Sequence, residues 1–262
     1  MNNIHATAII SDGAVIGDDV EIGPYCCIGP NVTLGDNVVL KSHVVIDGQT
    51  TVGAGSQIYP FASIGQRPQD LKYQGENSRL EIGSNTTIRE YVTMNTGTEG
   101  GGMLTKTGDN CLFMGAVHIA HDCRIGDNVI LAQGVLLGGH VEIGDYAILG
   151  GAAAVHQFVR IGAHAMIGGM AAVDNDVIPF GSVAGARAAL SGLNIIGMKR
   201  RKFSRDEIHA LRAAFKDLFG SEGTLLERLE KVDATYGKTA AVADIVAFMR
   251  ADSSRAFTLP DD

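Results

Sequence analysis

The sequence repeats every six residues, and this period limits the possible folds more than any other feature. Ten successive hexads from residue 4 to residue 63 each begin with an aliphatic residue and carry a small residue four places later. The pattern resumes at Ile82, slips by one residue after Met94, and then continues from Thr107 to Val173. Neither the helical period of about 3.6 nor the alternation of a simple strand produces a period of six.

A six-residue unit of this kind fits a short strand followed by a turn. The aliphatic residue points inward, and Gly or Asp occupies the turn. Three units close a triangular coil of 18 residues, and coils stacked about 4.8 Å apart bury a continuous core. The sequence therefore predicts a mainly β fold, a left-handed parallel β-helix over residues 1–190 with three hexads per coil.

Two segments interrupt the repeat, and we predict that both leave the β-helix as loops. They cover residues 65–81 and 99–106. Long loops on a rigid scaffold frequently carry function, and a plain surface excursion is the alternative.

The last part of the chain changes period and composition. Residues 191–262 are predicted to form a small α-helical C-terminal domain, which could also cover the open end of the β-helix. Two capping-box patterns, at 204–207 and 224–227, predict helix starts, and Gly220 and Gly237 fit helix ends. A third helix is predicted over 239–251.

Composition excludes several classes of protein. The formal net charge is −8 and the pI is near 5.4, which argues against nucleic-acid binding. The sequence contains no apolar run of the roughly 18 residues that a membrane span needs, and it lacks a signal-peptide pattern. We expect a cytoplasmic protein that does not insert into membranes. The four cysteines form no CxxC pair and are interpreted as reduced packing residues.

Four histidines are predicted to share one strip of the surface. Every third hexad lies on the same face of the triangle, so His121, His140 and His156 occupy one face in three successive coils, with His118 beside them. An imidazole is a natural general base at neutral pH. The alternative is a zinc site, as in carbonic anhydrases of this fold, but their histidine pair is spaced five apart, whereas His118 and His121 are three apart. We expect neither a metal nor a cofactor.

Five motifs resemble one enzyme family. They are QDLKYQGE at 69–76, AVHIAHDC at 116–123, GGH at 138–140, HQF at 156–158 and NIIGMKRRKFSR at 194–205. Together they are similar to the UDP-N-acetylglucosamine O-acyltransferases that begin lipid A synthesis, and the match covers essentially the whole chain. The resemblance implies a homotrimer that moves an (R)-3-hydroxyacyl chain from acyl carrier protein to the 3-position of the UDP-sugar.

The resemblance also implies roles for individual residues. His121 would be the general base, Asp122 would orient or stabilise it, and the Gly139 N–H would stabilise the oxyanion. Adjacent residues of a strand point apart, which counts against a contact between His121 and Asp122. The substrate-binding residues would be Asp70, Lys72, Asn95, His118, His140, His156, Gln157, Asn194, Arg200 and Arg201.

The basic run KRRK at 199–202 has several possible roles. Its arginines would meet the diphosphate, because guanidinium groups match phosphate oxygens. The run would also suit an acidic carrier protein, and a solvated helix start is the alternative.

Gly169 matches the position that limits acyl-chain length in the family. It follows His121 by eight hexads, roughly 13 Å along the axis at the usual strand spacing. Because eight is not a multiple of three, Gly169 lies on another face. A groove lined by both residues therefore has to run between subunits, in agreement with the implied trimer.

Two residues depart from the family pattern. Asn95 stands in TMNTGT where the common pattern TIHRGT has His, so the acceptor is either UDP-N-acetylglucosamine or its 3-amino analogue, which would give an amide. Ile196 stands where many relatives carry Glu against the ribose, and we expect rearranged ribose contacts.

Other functions stay open from the sequence. The related N-acyltransferase carries a large domain before its β-helix, whereas the hexads here begin at Ile4. A sugar N-acetyltransferase would use acetyl-CoA instead of a carrier protein, a carbonic anhydrase-like enzyme would contain zinc, and a purely structural β-helix would lose no activity on His121→Ala.

Overall fold

The structure is a computed structural model that describes residues 1–261. Its β strands are mostly two residues long. In chain order the first fourteen are β1 Asn3–Ile4, β2 Ile9–Ile10, β3 Val15–Ile16, β4 Glu21–Ile22, β5 Cys27–Ile28, β6 Thr33–Leu34, β7 Val39–Leu40, β8 Val45–Ile46, β9 Gln49–Val52, β10 Gln57–Ile58, β11 Ser63–Gln66, β12 Arg79–Ile82, β13 Thr87–Ile88 and β14 Thr93–Asn95. The others are β15 Leu104–Thr107, β16 Leu112–Phe113, β17 His118–Ile119, β18 Arg124–Ile125, β19 Ile130–Leu131, β20 Leu136–Leu137, β21 Glu142–Ile143, β22 Ile148–Leu149, β23 Ala154–Val155, β24 Arg160–Ile161, β25 Met166–Ile167, β26 Ala172–Val173, β27 Gly181–Ala184 and β28 Ala189–Leu193.

Every third strand pairs with the next in a parallel sheet, which produces three faces. Face A follows β1, β4, β7 and so on to β25, β27 and β28, face B runs from β2 to β26, and face C runs from β3 to β24. Partner residues are usually 18 positions apart, for example His118 opposite Leu136. The predicted left-handed parallel β-helix is confirmed.

The core is built from the two repeated positions of each hexad. Ile58 and Ala62, first and fifth in one hexad, are both buried, and the same holds for these positions from Val20 onward. Each fully buried aliphatic side chain contributes roughly 1.5–3 kcal/mol. Only the first coil is open at its lower end, where Ile4 is 42% exposed.

The faces meet at three columns of turns, here named the A/B, B/C and C/A corners after the faces that they connect in chain direction. One residue in most turns has a positive φ, such as 61° at His140 and 62° at His164. This left-handed conformation costs a non-glycine residue about 1–2 kcal/mol, so the stacked coils have to impose it. Side chains at these corners form continuous columns along the axis.

The first interruption of the repeat is shorter than predicted, and the second has the predicted length but lies three residues earlier. Strand β11 continues to Gln66 and β12 begins at Arg79, so only residues 67–78 leave the β-helix in the first loop. In the second, a 3-10 turn covers Glu99–Gly101 and β15 begins at Leu104. Both predicted loop ends were three residues too late, because β12 pairs with both β9 and β15, and this pairing satisfies backbone groups that a loop would expose.

The C-terminal part is helical, with α1 Ile195–Arg200, α2 Arg205–Leu218, α3 Leu225–Tyr236 and α4 Ala240–Arg250. Capping boxes at Ser204 and Thr224 open α2 and α3 as predicted, and α4 matches the predicted third helix. Helix α1 was not predicted, and the hairpin of β27 and β28 ends at Leu193, beyond the expected boundary. None of the helices within residues 1–261 is long and apolar enough to cross a bilayer.

Asp176 connects the β-helix to the C-terminal segment, residues 253–259. Its buried carboxylate accepts hydrogen bonds from Arg160 Nε at 2.8 Å and Ser253 Oγ at 2.7 Å. Its backbone pairs with Ala256 and Thr258 at 2.8 Å each. The C-terminal segment therefore lies as an added strand over the last layer of face C.

Candidate active site

The B/C corner brings together four of the predicted site residues. His121 and Asp122 lie in the turn after β17, and Gly139 and His140 lie one coil further along, in the turn after β20. His121 Nδ1 is 2.8 Å from Asp122 Oδ2, and His140 Nε2 is 3.8 Å from the same oxygen. The two imidazole rings meet edge to face with their centroids 5.0 Å apart.

The expectation that His121 and Asp122 would point apart was wrong. Both residues lie in a turn outside the strand, and Asp122 has φ 61°. This conformation brings its carboxylate beside the preceding imidazole. Because a carboxylate only accepts hydrogen bonds, the proton of a neutral His121 lies on Nδ1 and the lone pair lies on Nε2.

Thr98 holds the Asp122 carboxylate from the other side. Its N–H donates to Oδ1 at 2.8 Å, and its hydroxyl donates to Oδ2 at 2.6 Å. The side chain of Asp122 is 1% exposed, so these are short, desolvated contacts to a charged group. Thr98 was not among the predicted site residues, although it is the last residue of the TMNTGT motif.

Gly139 lies directly against the ring of His121. A Cβ at Gly139 would stand 2.5 Å from His121 Cε1, so any larger residue would displace the imidazole. At the matching turn position of face C, backbone N–H groups donate to an Asp carboxylate of the next coil, as Asp127 does to Asp145 at 2.8 Å. In the coil after Gly139, the residue equivalent to this Asp is Gln157, so no carboxylate competes for the Gly139 N–H.

His118 and His140 flank the pair as neutral groups. Burial lowers the pKa of His118, and the neighbouring His121 lowers it further. Burial also lowers the pKa of His140, while Asp122 opposes that shift. His118 is fixed by a 2.7 Å contact between its Nδ1 and Thr93 Oγ1. Both rings are therefore available at neutral pH as uncharged hydrogen-bonding groups.

Residues 67–78 form a wall beside this corner. Asp70 and Lys72, with His140 and Phe158, line a cavity of about 350 Å³. Ser78 Oγ donates to Thr96 Oγ1 at 2.9 Å, which holds the end of this loop against the next one. The structure therefore places both predicted loop residues next to His140.

Asn95 anchors the start of the same loop. Its amide nitrogen donates to the carbonyl oxygens of Gln66 at 3.3 Å and Arg67 at 3.1 Å. The side chain is buried, and its Oδ1 has no hydrogen-bond partner among residues 1–261. Asn95 therefore shapes the loop and leaves one buried acceptor near the site.

The other predicted residues lie elsewhere on the chain. His156 and Gln157 follow His140 by one coil at the B/C corner, whereas Gly169 is exposed at the A/B corner. Asn194 caps α1 and donates to the backbone oxygen of His164 at 2.9 Å, at the C/A corner.

The two arginines at the end of α1, Arg200 and Arg201, also lie apart from His121. Arg200 is exposed on α1, and Arg201 donates to the Tyr146 carbonyl at 2.7 Å and stacks over that ring. One chain does not bring these residues to His121.

A metal ion would have to compete with existing contacts here. Ligand atoms of His121, Asp122 and His140 lie within 4.8 Å of one another. Both Asp122 oxygens, however, already accept hydrogen bonds from Thr98 or His121, and no thiolate lies in the group. The arrangement suits an oriented base more directly than a zinc site.

Comparisons with known proteins agree on one family. The profile described as "Udp N-acetylglucosamine O-acyltransferase; Domain 2" matches residues 176–258, and the bacterial transferase hexapeptide profile matches 3–36, 13–48 and 105–139. The acyl-[acyl-carrier-protein]–UDP-N-acetylglucosamine O-acyltransferase of Rickettsia canadensis is 55% identical over 98% of this chain and 97% of its own length. The enzyme of the same name from Methylobacterium radiotolerans is 65% identical over 78% of this chain and 75% of its own.

A solved structure gives the same result. The UDP-N-acetylglucosamine acyltransferase of Francisella novicida has a TM-score of 0.96 at 37% identity, and the match covers 99% of this chain and 95% of that one. The 55% identity to the Rickettsia canadensis enzyme over nearly the full length is far more than a shared fold requires. The chain belongs to the acyl-[acyl-carrier-protein]–UDP-N-acetylglucosamine O-acyltransferase family.

Proposed function

We propose that this protein transfers an (R)-3-hydroxyacyl chain from acyl carrier protein to the 3-hydroxyl of UDP-N-acetylglucosamine, the first step of lipid A synthesis. The observation that carries the proposal is the contact series from Thr98 through Asp122 to His121, with Gly139 against the imidazole. Relatives named for this reaction support it. Both substrates are carried by water-soluble groups, a protein and a nucleotide, so we place the reaction in the cytoplasm.

The mechanism follows from the proton positions at the B/C corner. His121 Nε2 removes the proton from the sugar 3-hydroxyl as that oxygen attacks the thioester carbonyl. The oxyanion of the tetrahedral intermediate accepts a hydrogen bond from the Gly139 N–H. Asp122 stabilises the imidazolium, which then gives its proton to the departing thiolate of the carrier as the C–S bond breaks.

The binding roles are divided by position. His118, His140, Asp70 and Lys72 surround the reacting sugar, and Gln157 and His156 extend the strip. Asn194, Arg200 and Arg201 are assigned to the nucleotide and its diphosphate, whose oxygens suit guanidinium groups. No cofactor is needed for this chemistry.

We infer that the active site lies between subunits of a homotrimer. Gly169 and the residues of α1 lie at other corners than His121, so a second copy has to bring them to it. Gly169 is exposed and lacks a side chain, which leaves room for a long acyl chain along the cleft.

A second acceptor is supported by Asn95. The unpartnered Asn95 Oδ1 is a buried acceptor, and such atoms cost free energy until a donor reaches them. The 3-amino analogue of the sugar offers two N–H donors at the reacting position, whereas the hydroxyl offers one. Transfer to this analogue would give an amide.

The test is a transfer assay with 3-hydroxymyristoyl carrier protein and each acceptor separately. His121→Ala is expected to lower kcat by about 10² to 10⁴, the range for loss of a general base. His209→Ala, an exposed histidine of α2, serves as the matched control and should leave kcat within about twofold, as is usual for exposed sites. No transfer to either sugar, or a His121→Ala protein with full activity, would overturn the proposal.

A further inference from the structure

The C-terminal segment reaches the B/C corner through Arg255. Arg255 Nη2 is 2.6 Å from His156 Nδ1 and 2.8 Å from the backbone oxygen of Gln157, and Arg255 Nε is 3.2 Å from that oxygen. These contacts join residues 98 and 99 positions apart in sequence. One guanidinium therefore holds two residues that the proposed function assigns to substrate binding.

The contact decides which nitrogen of His156 carries the proton. A guanidinium can only donate, so His156 Nδ1 has to accept, and the hydrogen of the neutral ring lies on Nε2. His156 Nδ1 is also 3.2 Å from the Gln157 oxygen, which would favour the opposite tautomer. The shorter contact to a charged donor prevails, and Arg255 itself satisfies the Gln157 oxygen.

The turn held by Arg255 supports the rest of the site. Phe158, next in the chain, stacks on the His140 ring with centroids 4.4 Å apart, and its N–H donates to the Gly139 oxygen at 3.1 Å. Phe158 and His140 both line the cavity beside the loop of residues 67–78. The turn at 156–158 therefore packs against His140, which is assigned to the reacting sugar.

Arg255 is itself placed with little freedom. Ser253 bonds to the Asp176 carboxylate, and Ser253 Oγ also accepts the Arg255 N–H at 3.1 Å. Beyond Arg255, the segment pairs with the backbone of Asp176. The residues before and after Arg255 are thus both fixed to Asp176, which holds the guanidinium in place before any ligand binds.

We propose that Arg255 is a positioning residue that presents the Nε2–H of His156 to the sugar nucleotide and fixes the turn at 156–158. This inference rests on the proposed function, because it takes His156 to face that ligand. It assigns the C-terminal segment a part in acceptor binding, through His156 and not by contact with the reacting atoms.

The test is steady-state kinetics of Arg255→Ala and Arg255→Lys with the UDP-sugar varied. Loss of hydrogen bonds to a charged donor predicts a KM for the UDP-sugar raised about tenfold in Arg255→Ala, with kcat and the carrier-protein KM within about twofold. A lysine ammonium donates from a single nitrogen, so the KM of Arg255→Lys for the UDP-sugar should lie between those of the wild type and Arg255→Ala. Arg250→Ala removes a guanidinium of α4 that pairs with Glu230 and Asp233, and it should leave the KM unchanged.

A double variant separates positioning from general stability. If Arg255 acts through His156, the KM of His156→Ala with Arg255→Ala should rise less than the product of the two single effects. Nitrogen-15 NMR of the wild type should show His156 as the Nε2–H tautomer, and Arg255→Ala should mix the tautomers. Three results would overturn the inference. They are multiplicative KM effects in the double variant, an unchanged KM in Arg255→Ala, and an Nδ1–H tautomer of His156 in the wild type. A wild type without transfer would instead overturn the proposed function, and the NMR measurement would still report on the contact.

Discussion

The B/C and C/A corners both place an imidazole at the same backbone position, yet the two rings have opposite surroundings. At the B/C corner, His140 is followed by Phe158 on one side and meets His121 and the Asp122 carboxylate on the other. At the C/A corner, His164 is stacked between Tyr146 and Phe180, with centroids 5.0 Å away in each case.

The difference comes from what covers each corner. Thr98, from the second loop, brings two hydrogen bonds to Asp122 at the B/C corner. Phe203 stands edge-on to His164, and Arg201 packs on Tyr146 at the C/A corner. Burial, followed by the charge of Arg201, lowers the pKa of His164 to about 4. A turn position thus becomes reactive or inert according to the segment packed over it.

The largest contrast is expected between two carboxylates. Asp122→Asn should lower kcat by about 10² to 10⁴, because an amide cannot stabilise the imidazolium and can donate to Nδ1, which favours the wrong tautomer. Asp145→Asn changes the carboxylate just before Tyr146 at the C/A corner, where it accepts a backbone N–H from Asp127. That variant should keep kcat within about threefold, since exposed sites have small effects. Equal losses of kcat in Asp122→Asn and Asp145→Asn would show that the B/C corner is no more important for catalysis than the C/A corner.

A smaller effect is expected at Thr98. Thr98→Val removes the hydroxyl that bonds to Asp122 Oδ2 but keeps the shape and the backbone N–H. Loss of one hydrogen bond to a charged group predicts a fall in kcat of about tenfold, with the KM little changed. Thr98→Ser restores the hydroxyl and should recover most of the activity. If serine does no better than valine, the hydroxyl does not hold Asp122 in the reactive position.

The smallest effect is expected at His164, and it concerns stability. The folded-state pKa of about 4 lies below the ordinary value of 6.5, so between these pH values the unfolded chain binds more protons. The free energy of unfolding should therefore fall as the pH drops from 6.5 to 4. Partial exposure of His164 to solvent reduces the expected loss of unfolding free energy to about 1–2 kcal/mol.

His164→Phe provides the matched measurement, because a phenyl ring keeps the stack. Denaturant unfolding at several pH values should show less acid destabilisation than in the wild type. The kcat should stay within about twofold, because the His164 side chain is assigned no contact with either substrate. Identical pH slopes in the two proteins would show that His164 does not contribute.

The periodic part of this molecule was predictable because pairing between coils follows the chain at fixed intervals of 18 residues. That rule places His121, His140 and His156 in successive coils from the sequence alone. The rule does not predict the positions of Thr98 and Arg255, because both residues lie in segments outside the repeat. They are 24 and 99 residues from their partners Asp122 and His156. The approach of Asp122 to His121 depended on one backbone angle, which no period specifies.

The two ends of the β-helix differ in a way that bears on assembly. The first coil exposes Ile4, Ile9 and Val15 and has an unpaired strand edge, whereas the last layer of face C is covered by residues 253–259. A stack of identical coils is a natural template for end-to-end growth, because strand edges recruit one another. A filament needs two complementary ends, and at the far end the edge of face C is already paired with the C-terminal segment. The C-terminal segment would thus hinder the addition of another β-helix at the last layer of face C.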